Sequence, residues 1–376
     1  MKNLFRIDIN PNRIYGLDIL RALAILFVIL GHSSFLVPDE VGHYLLNFTL
    51  DGVNIFFVLS GFLIGGILLK QLNENKINSK LLGNFWIRRW FRTLPNYLLV
   101  LIILLILNIL FTPYFEWQNY KSYFIFSQNL FSKHPGFFPE AWSLSIEEWF
   151  YLLIPILLFG LIKLFKISIK NSFLISALGI IISVTFFRYF RFDSLDIEEM
   201  STWGRMLRKQ VFTRLDSIMF GVIGAYILYY YPKLWNKNKL PLLLLGIILL
   251  VSVKLNPMGF ENFGLYHCVF SFSLTSIGTL LLLPFLSSLK TGKGLVFKTL
   301  TYTSLISYSM YLVNLTLVQK WILGNLNWTW LQNYNESLFL CIQFSLFWIL
   351  VYLISILLYK YFELPTMKLR ERFKIK

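Results

Sequence analysis

Apolar residues fall along this chain in long runs separated by short polar stretches. Ten runs reach the ~17–25 residues that a membrane-crossing helix needs. They lie near 17–37, 52–69, 93–112, 141–162, 172–190, 211–231, 240–256, 265–287, 302–323 and 337–359. The pattern predicts an all-α, polytopic integral membrane protein of about ten transmembrane helices. The fourth run is the least regular, because Trp142, Ser143, Ser145, Glu147 and Glu148 stud its start. The seventh is short and ends in Asn256-Pro257. There is no internal repeat, low-complexity tract or appended soluble domain, so residues 1–376 read as one membrane domain.

The first run, GLDILRALAILFVILGH (16–32), carries Asp18, Arg21 and His32 among apolar residues. A charge inside the bilayer costs at least ~2.5–3.5 kcal/mol on insertion scales and usually faces a protein interior or an aqueous cavity. At ~100° per residue, Arg21 and His32 fall within about 20° of each other on one helix face, roughly 16 Å apart along the axis. Asp18 lies about 60° to the side of Arg21. The helix therefore offers a cation at one depth and an imidazole about half a bilayer away. A signal-anchor helix with two satisfied polar residues is the other reading of the same pattern.

Composition agrees with the pattern. The chain is 56% hydrophobic and 14% charged, against ~25% charged in soluble domains; its mean hydropathy is +0.62. The net charge of +16 would suggest nucleic acid in a soluble protein, but here its distribution matters more, and no nucleic acid is expected. Cys268 and Cys341 form no disulfide framework, and His32, His43, His134 and His267 show no metal-ligand spacing, so no metal is expected. No cleavable signal peptide is evident.

Lysine and arginine set the expected orientation. With the N-terminus inside, inner segments carry 24 of these cations and outer loops 10. Both termini, segment 1–16 and tail 360–376, are then cytoplasmic, and the protein is multi-pass in the plasma or inner membrane. One outer loop departs from the rule. Segment 188–214 holds Arg188, Arg191, Arg205, Arg208, Lys209 and Arg214 with four acids between them. Such mixed charge reads as a folded, solvated loop, either a linker or a route for an outside substrate.

Depth then assigns chemistry. WSLSIEEWFY (142–151) starts outside, which places Glu147 and Glu148 at the level of His32. A carboxylate there can fix the imidazole tautomer and raise its basicity. Adjacent glutamates point about 100° apart, so one of them faces the site; capping at the interface is the alternative for both. On the inner side, FWIRRWFRTLP (85–95) clusters Arg88, Arg89 and Arg92, which suits phosphates and equally suits anionic membrane lipids. YFELP (361–365) puts Glu363 on that side, where it can pair with one of these arginines or with Arg21. DGVNIFFVLSGFLIGG (51–66) begins at Asp51, and its Gly and Ser residues permit close helix approach. Ser60-Gly61 can instead widen a ligand tunnel; no nucleophile elbow surrounds Ser60. SLISYSMYLVN (304–314) carries a polar face of Ser307, Tyr308, Ser309, Tyr311 and Asn314.

Taken in order, GLDILRALAILFVILGH, DGVNIFFVLSGFLI, RRWFRTLP, WSLSIEEWFY, RLDSIMFGVIGA (214–225), ISYSMYLVN and YFELP resemble the acyltransferase-3 family of membrane O-acyltransferases, over about residues 12 to 366. The resemblance implies a ten-helix core and transfer of an acyl group, usually acetyl, from cytoplasmic acyl-CoA. The acceptor it implies is a hydroxyl of an extracytoplasmic carbohydrate, such as O-antigen, capsule, exopolysaccharide or a lipid-linked glycan. It also implies that Arg21 and His32 form the family's basic-residue-x10-His pair, and that Arg89 and Arg92 match its RxxR element. The chain departs where the family often reads YLxH, because that position is Asn314; His32 is then the one candidate base in a motif. On this reading His32 is catalytic with Glu147 and Glu148. Arg21, Arg88, Arg89, Arg92 and Ser60 hold acetyl-CoA. Asp18, Asp51, Trp142, Tyr308, Asn314 and Glu363 are substrate-side or structural. The absence of an appended outer hydrolase-like domain fits a stand-alone enzyme. Acylation of a lipid or macrolide-like molecule is the alternative within the class, and a transporter or flippase the alternative outside it.

Overall fold

The computed structural model describes residues 13–75, 77–112 and 115–373. Segment 1–12 and residues 374–376, which enter the termini assigned above, lie outside the described residues. Among the described residues the chain is helical, with no strand. The longer helices are α1 (Tyr15–Ser33), α2 (Asp39–Phe48), α3 (Gly52–Glu74), α4 (Ser79–Phe111), α5 (Ala141–Lys163), α6 (Ile169–Ser194), α7 (Leu215–Tyr230), α8 (Lys239–Leu255), α9 (Ser271–Leu286), α10 (Gly294–Val313) and α11 (Glu336–Leu358).

Among the described residues, seven helical stretches are long and apolar enough to cross a membrane: Tyr15–Leu36, Asp39–Glu74, Ser79–Phe111, Ala141–Lys163, Ile169–Ser194, Tyr266–Leu286 and Glu336–Phe373. Helices α7, α8 and α10 occupy the three other positions that the sequence predicts, outside that set. Exposed Ile102, Ile106 and Ile109 on α4, Leu174, Leu178 and Ile182 on α6, and Leu244, Leu245 and Ile248 on α8 form apolar outer faces. Faces of this extent suit lipid rather than water. The protein is a multi-pass membrane protein.

Close packing centres on α3 against α7. A Cβ added at Gly61 would lie 1.9 Å from the Ile218 carbonyl oxygen, and one at Gly221 2.0 Å from that of Val58. The two backbones therefore touch where both residues are glycine, the small-residue crossing favoured when lipid supplies no hydrophobic drive. Gly61 serves this approach, while Ser60 beside it faces a cavity. Helix α1 packs on α3 and α10, and α8 on α9.

Two sequence expectations change here. Helix α4 begins at Ser79 rather than near 93, capped by the Asn78 side chain accepting from the Leu81 N–H. It runs through Pro95 without a break, so the arginine cluster rides on the spanning helix itself. Segment 188–214 is not simply a solvated loop. Asp193, Asp196, Glu198 and Glu199 are exposed, but Arg188 and Arg214 are buried. Arg188 Nη1 pairs with Asp216 Oδ2 at 2.9 Å. Arg214 Nη2 donates to Asn54 Oδ1 at 2.8 Å and its guanidinium lies 4.3 Å from the Phe272 ring centroid. Buried charge persists only when paired and hydrogen-bonded, and these contacts tie α3, α6, α7 and α9 together.

Candidate active site

Two neighbouring cavities among the described residues bring the polar side chains together. The first is lined by Arg21 of α1, Phe56, Ser60 and Leu63 of α3, Arg89, Arg92 and Thr93 of α4, Glu147 and Tyr151 of α5, and Ser307 and Tyr308 of α10. Three guanidiniums thus converge, with one carboxylate among them. Ser60 Oγ lies 2.8 Å from the Tyr151 hydroxyl, which donates to Glu147 Oε2 at 2.9 Å. Because that hydroxyl spends its proton on Glu147, Ser60 donates to Tyr151. Ser60 is therefore a link in a chain that fixes the carboxylate among the arginines. Tyr308 donates to the Thr93 carbonyl at 2.7 Å, holding α10 to α4.

The second cavity has a volume of about 570 Å³ and is lined by His32, Asp51, Glu140, Trp142, Arg208, Lys209 and Lys254, among others. That size falls within the ~300–1,000 Å³ of small-molecule pockets. His32 Nδ1 lies 2.5 Å from Asn314 Oδ1. The Asn314 amide nitrogen donates to the Met310 and Tyr311 carbonyls, at 3.0 and 2.8 Å. The amide oxygen is therefore the atom turned to the imidazole, and Nδ1 must carry the proton. Nε2 is left with its lone pair. A carboxamide thus orients the imidazole as a carboxylate bonded to its Nδ1–H does elsewhere. At Asn314 the helix widens into a π-helical segment, Asn314–Ile322, a distortion common at functional sites.

Val53 and Tyr311 line both cavities. The Tyr311 hydroxyl accepts from Ser143 Oγ at 2.7 Å and donates to the Glu140 carbonyl at 3.0 Å. The ring is therefore pinned between the arginine cavity and the histidine cavity.

The structure corrects the level of the two glutamates. Glu147 sits in the arginine cavity, not beside His32. Glu148 is buried and accepts from Thr93 Oγ1 at 2.6 Å. The reason is depth. Residues 141–146 are all buried, so α5 starts inside the protein with Trp142 already at the histidine cavity. Five residues on, at ~1.5 Å each, Glu147 has moved roughly 7–8 Å toward the arginines. Of the adjacent pair, Glu147 alone lines a cavity.

Other expected residues find different partners. Asp18 pairs with Arg13 and accepts from Ser304 Oγ at 2.7 Å. Glu363 accepts from Asn96 Nδ2 and Ser309 Oγ, each at 2.8 Å, and its bonds are to these amide and hydroxyl groups rather than to an arginine. Arg88 is exposed and lines neither cavity. Asp51 caps α3 through the Asn54 N–H and lies 3.3 Å from Arg208. Arg208 also lies 5.6 Å from the Trp142 ring centroid.

One residue escaped the sequence reading. Glu140 is buried; its Oε1 accepts from the Thr316 N–H at 2.7 Å and its Oε2 from Thr316 Oγ1 at 2.5 Å. It fastens the start of α5 to the π turn two residues past Asn314. Burial pushes its carboxyl above the usual range. An acid directly ahead of a helix reads in sequence only as a cap. Among the described residues no three His, Cys, Asp or Glu side chains gather as metal ligands do.

The fold and these cavities define a membrane protein in which an arginine-rich pocket and a histidine pocket share a wall. A family model described as an acyltransferase domain matches residues 14–360, and the chain belongs to that family. The peptidoglycan O-acetyltransferase OatA of Listeria monocytogenes is 35% identical over 165 residues, 40% of this chain and 25% of that protein. A putative O-acetyltransferase of Staphylococcus aureus strain COL is 30% identical over 242 residues, 60% of this chain and 36% of that protein. The O-acetyltransferase OatA of S. aureus strain NCTC 8325 is 30% identical over 244 residues, 58% of this chain and 35% of that protein. The chain thus spans between a quarter and little more than a third of the length of these relatives. No solved structure matches.

Proposed function

We propose that this protein transfers an acetyl group from cytoplasmic acetyl-CoA to a hydroxyl of an extracytoplasmic glycan. The observation that carries the reading is the shared wall at Tyr311 and Val53, with arginines on one side and a tautomer-fixed His32 on the other. The names of the O-acetyltransferase relatives support acetyl as the group and a cell-surface glycan as the acceptor. In this proposal the described helices form one membrane domain with ten crossings and both ends cytoplasmic, as the lysine and arginine bias suggests.

Arg89 and Arg92 hold the CoA phosphates and Arg21 guides the pantetheine arm, with Glu147 offsetting the repulsion among the three guanidiniums. The ~16 Å from Arg21 to His32 along α1 is comparable with an extended arm. The thioester then reaches the shared wall. His32 Nε2 takes the proton of an acceptor hydroxyl as its oxygen bonds to the thioester carbonyl carbon. The tetrahedral intermediate collapses, the C–S bond breaks and CoA leaves as thiolate. The imidazolium proton passes to that thiolate or to water. Because one direct transfer accounts for every atom, no acyl-enzyme is required.

Purified protein in nanodiscs, given radiolabelled acetyl-CoA and cell-envelope glycan fractions, tests the reading. His32→Gln keeps size and hydrogen bonding but takes no proton at neutral pH. It should lower transfer by at least about a hundredfold while acetyl-CoA still binds. Near wild-type turnover in His32→Gln would make the imidazole structural and shift the search for a base to Asp51 and Glu140.

A further inference from the structure

We infer that the histidine cavity takes an acceptor bearing an anionic group, phosphate or carboxylate, which docks on Lys209 beside Arg208 and brings a neighbouring hydroxyl to His32. The inference rests on the acyl-transfer reading for the hydroxyl's fate, but not for the anion's seat.

The charged groups lining this cavity are Asp51, Glu140, Arg208, Lys209 and Lys254, with His32 and His267. Most are engaged. Asp51 and Arg208 face each other at 3.3 Å. Both Glu140 oxygens are taken by Thr316. Lys254 Nζ donates to the Leu46 carbonyl at 3.0 Å. The Lys209 ammonium differs: half-buried, it has no hydrogen bond or ion pair among the described residues. An ammonium drawn out of water without a partner is costly.

Its backbone is held on both sides. The Lys209 N–H donates to the Gly204 carbonyl at 3.0 Å, and its carbonyl accepts from Asn129 Nδ2 at 2.6 Å. The adjacent Gln210 amide donates to the Phe131 and Ser132 carbonyls. The segment is thus strapped to the loop ahead of α5, holding over the cavity an ammonium that Glu140 offsets only from a distance, with no ion pair between them among the described residues. Burial and the neighbouring Arg208 and Arg205 pull the Lys209 ammonium down to about 8, a tension that an anion relieves.

Position matters as much as charge. Arg208 and Lys209 line the same cavity as His32. When His32 takes the acceptor proton, the cavity gains a further positive charge beside these two, and an anion on the acceptor offsets it. Trp142 lines the same space with Arg208 against its ring, which helps hold that guanidinium beside Lys209.

The test uses the full-length protein in nanodiscs and three probes of equal length: a phosphodiester-linked polyol oligomer, a uronic acid oligomer and a neutral oligosaccharide. Binding is followed by tryptophan fluorescence, since Trp142 and Trp203 line the cavity, and acetylation by mass spectrometry. Wild-type protein should bind one anionic oligomer at least about tenfold tighter than the neutral one; which one wins names the anion. Lys209→Met should abolish the preference and Lys209→Arg keep it, with acetyl-CoA affinity unchanged in both. Equal binding of anionic and neutral oligomers by wild-type protein, or a preference surviving Lys209→Met, overturns the inference. Preferred anion binding without acetylation of any probe upholds the anion seat and counts against acyl transfer. Acetylation of the neutral probe with no anion preference does the reverse.

Discussion

At the residue scale, a carboxamide sets the tautomer of His32. Because Asn314 spends both amide protons on backbone carbonyls, its oxygen is committed to His32. Asn314→Ala should cost at least about tenfold in kcat with little change in acetyl-CoA affinity. Asn314→Asp keeps an acceptor for Nδ1–H and should retain more activity, with a displaced pH–rate profile. Steady-state kinetics across pH 5 to 9 separates the two. The arginines carry a second expectation. Arg89→Ala and Arg92→Ala should each weaken CoA binding at least about tenfold, whereas Arg88→Ala, exposed and outside the cavity, should not; calorimetry with CoA decides. A third concerns Lys209, among Arg205, Arg208, Glu140 and Lys320. Its ammonium is charged below about 8 and neutral above, so affinity for the anionic probe should fall as pH rises through that value. The Arg21–His32 spacing was legible because helix geometry alone sets it. The level of Glu147 was not, because hydropathy cannot tell that α5 starts inside the protein. Glu140 and the pairing of Asn314 with His32 were hidden too, since they join segments far apart in the chain.

At the scale of elements, α3 and α7 stand or fall on their glycine contact. Gly61→Val or Gly221→Val would drive a side chain into a backbone carbonyl. The strain should cost ~1–3 kcal/mol or more, read as a lower melting temperature by size-exclusion thermal scan. Gly66→Ala, with nothing within 4 Å of its Cβ, is the control and should not lower stability. The helices were largely readable as apolar runs, because a bilayer leaves the backbone few alternatives. The first half of α4 was not, since Trp86, Arg88, Arg89 and Trp90 interrupt the run. The inward turn of Arg188 and Arg214 was invisible as well. Composition counts charges but does not say which ones find a buried partner.

At the scale of the whole molecule, orientation is the property most exposed to test. Reporter fusions at residue 2 and residue 376 should both report cytoplasm; a periplasmic signal at either end would overturn the assigned topology. That topology gives the wall shared by the two cavities a second duty. If one pocket opens to the cytoplasm and the other to the exterior, Tyr311 and Val53, which line both, stand between two compartments of different pH and voltage. The proposed transfer then asks for an aperture wide enough for an acetyl thioester and too narrow for a file of water. Tyr311, braced by Ser143 and the Glu140 carbonyl, is built as such a washer. Tyr311→Ala in proteoliposomes loaded with a pH-sensitive dye should leak protons faster than wild-type protein, and saturating CoA should slow the leak, because the threaded arm is itself the stopper.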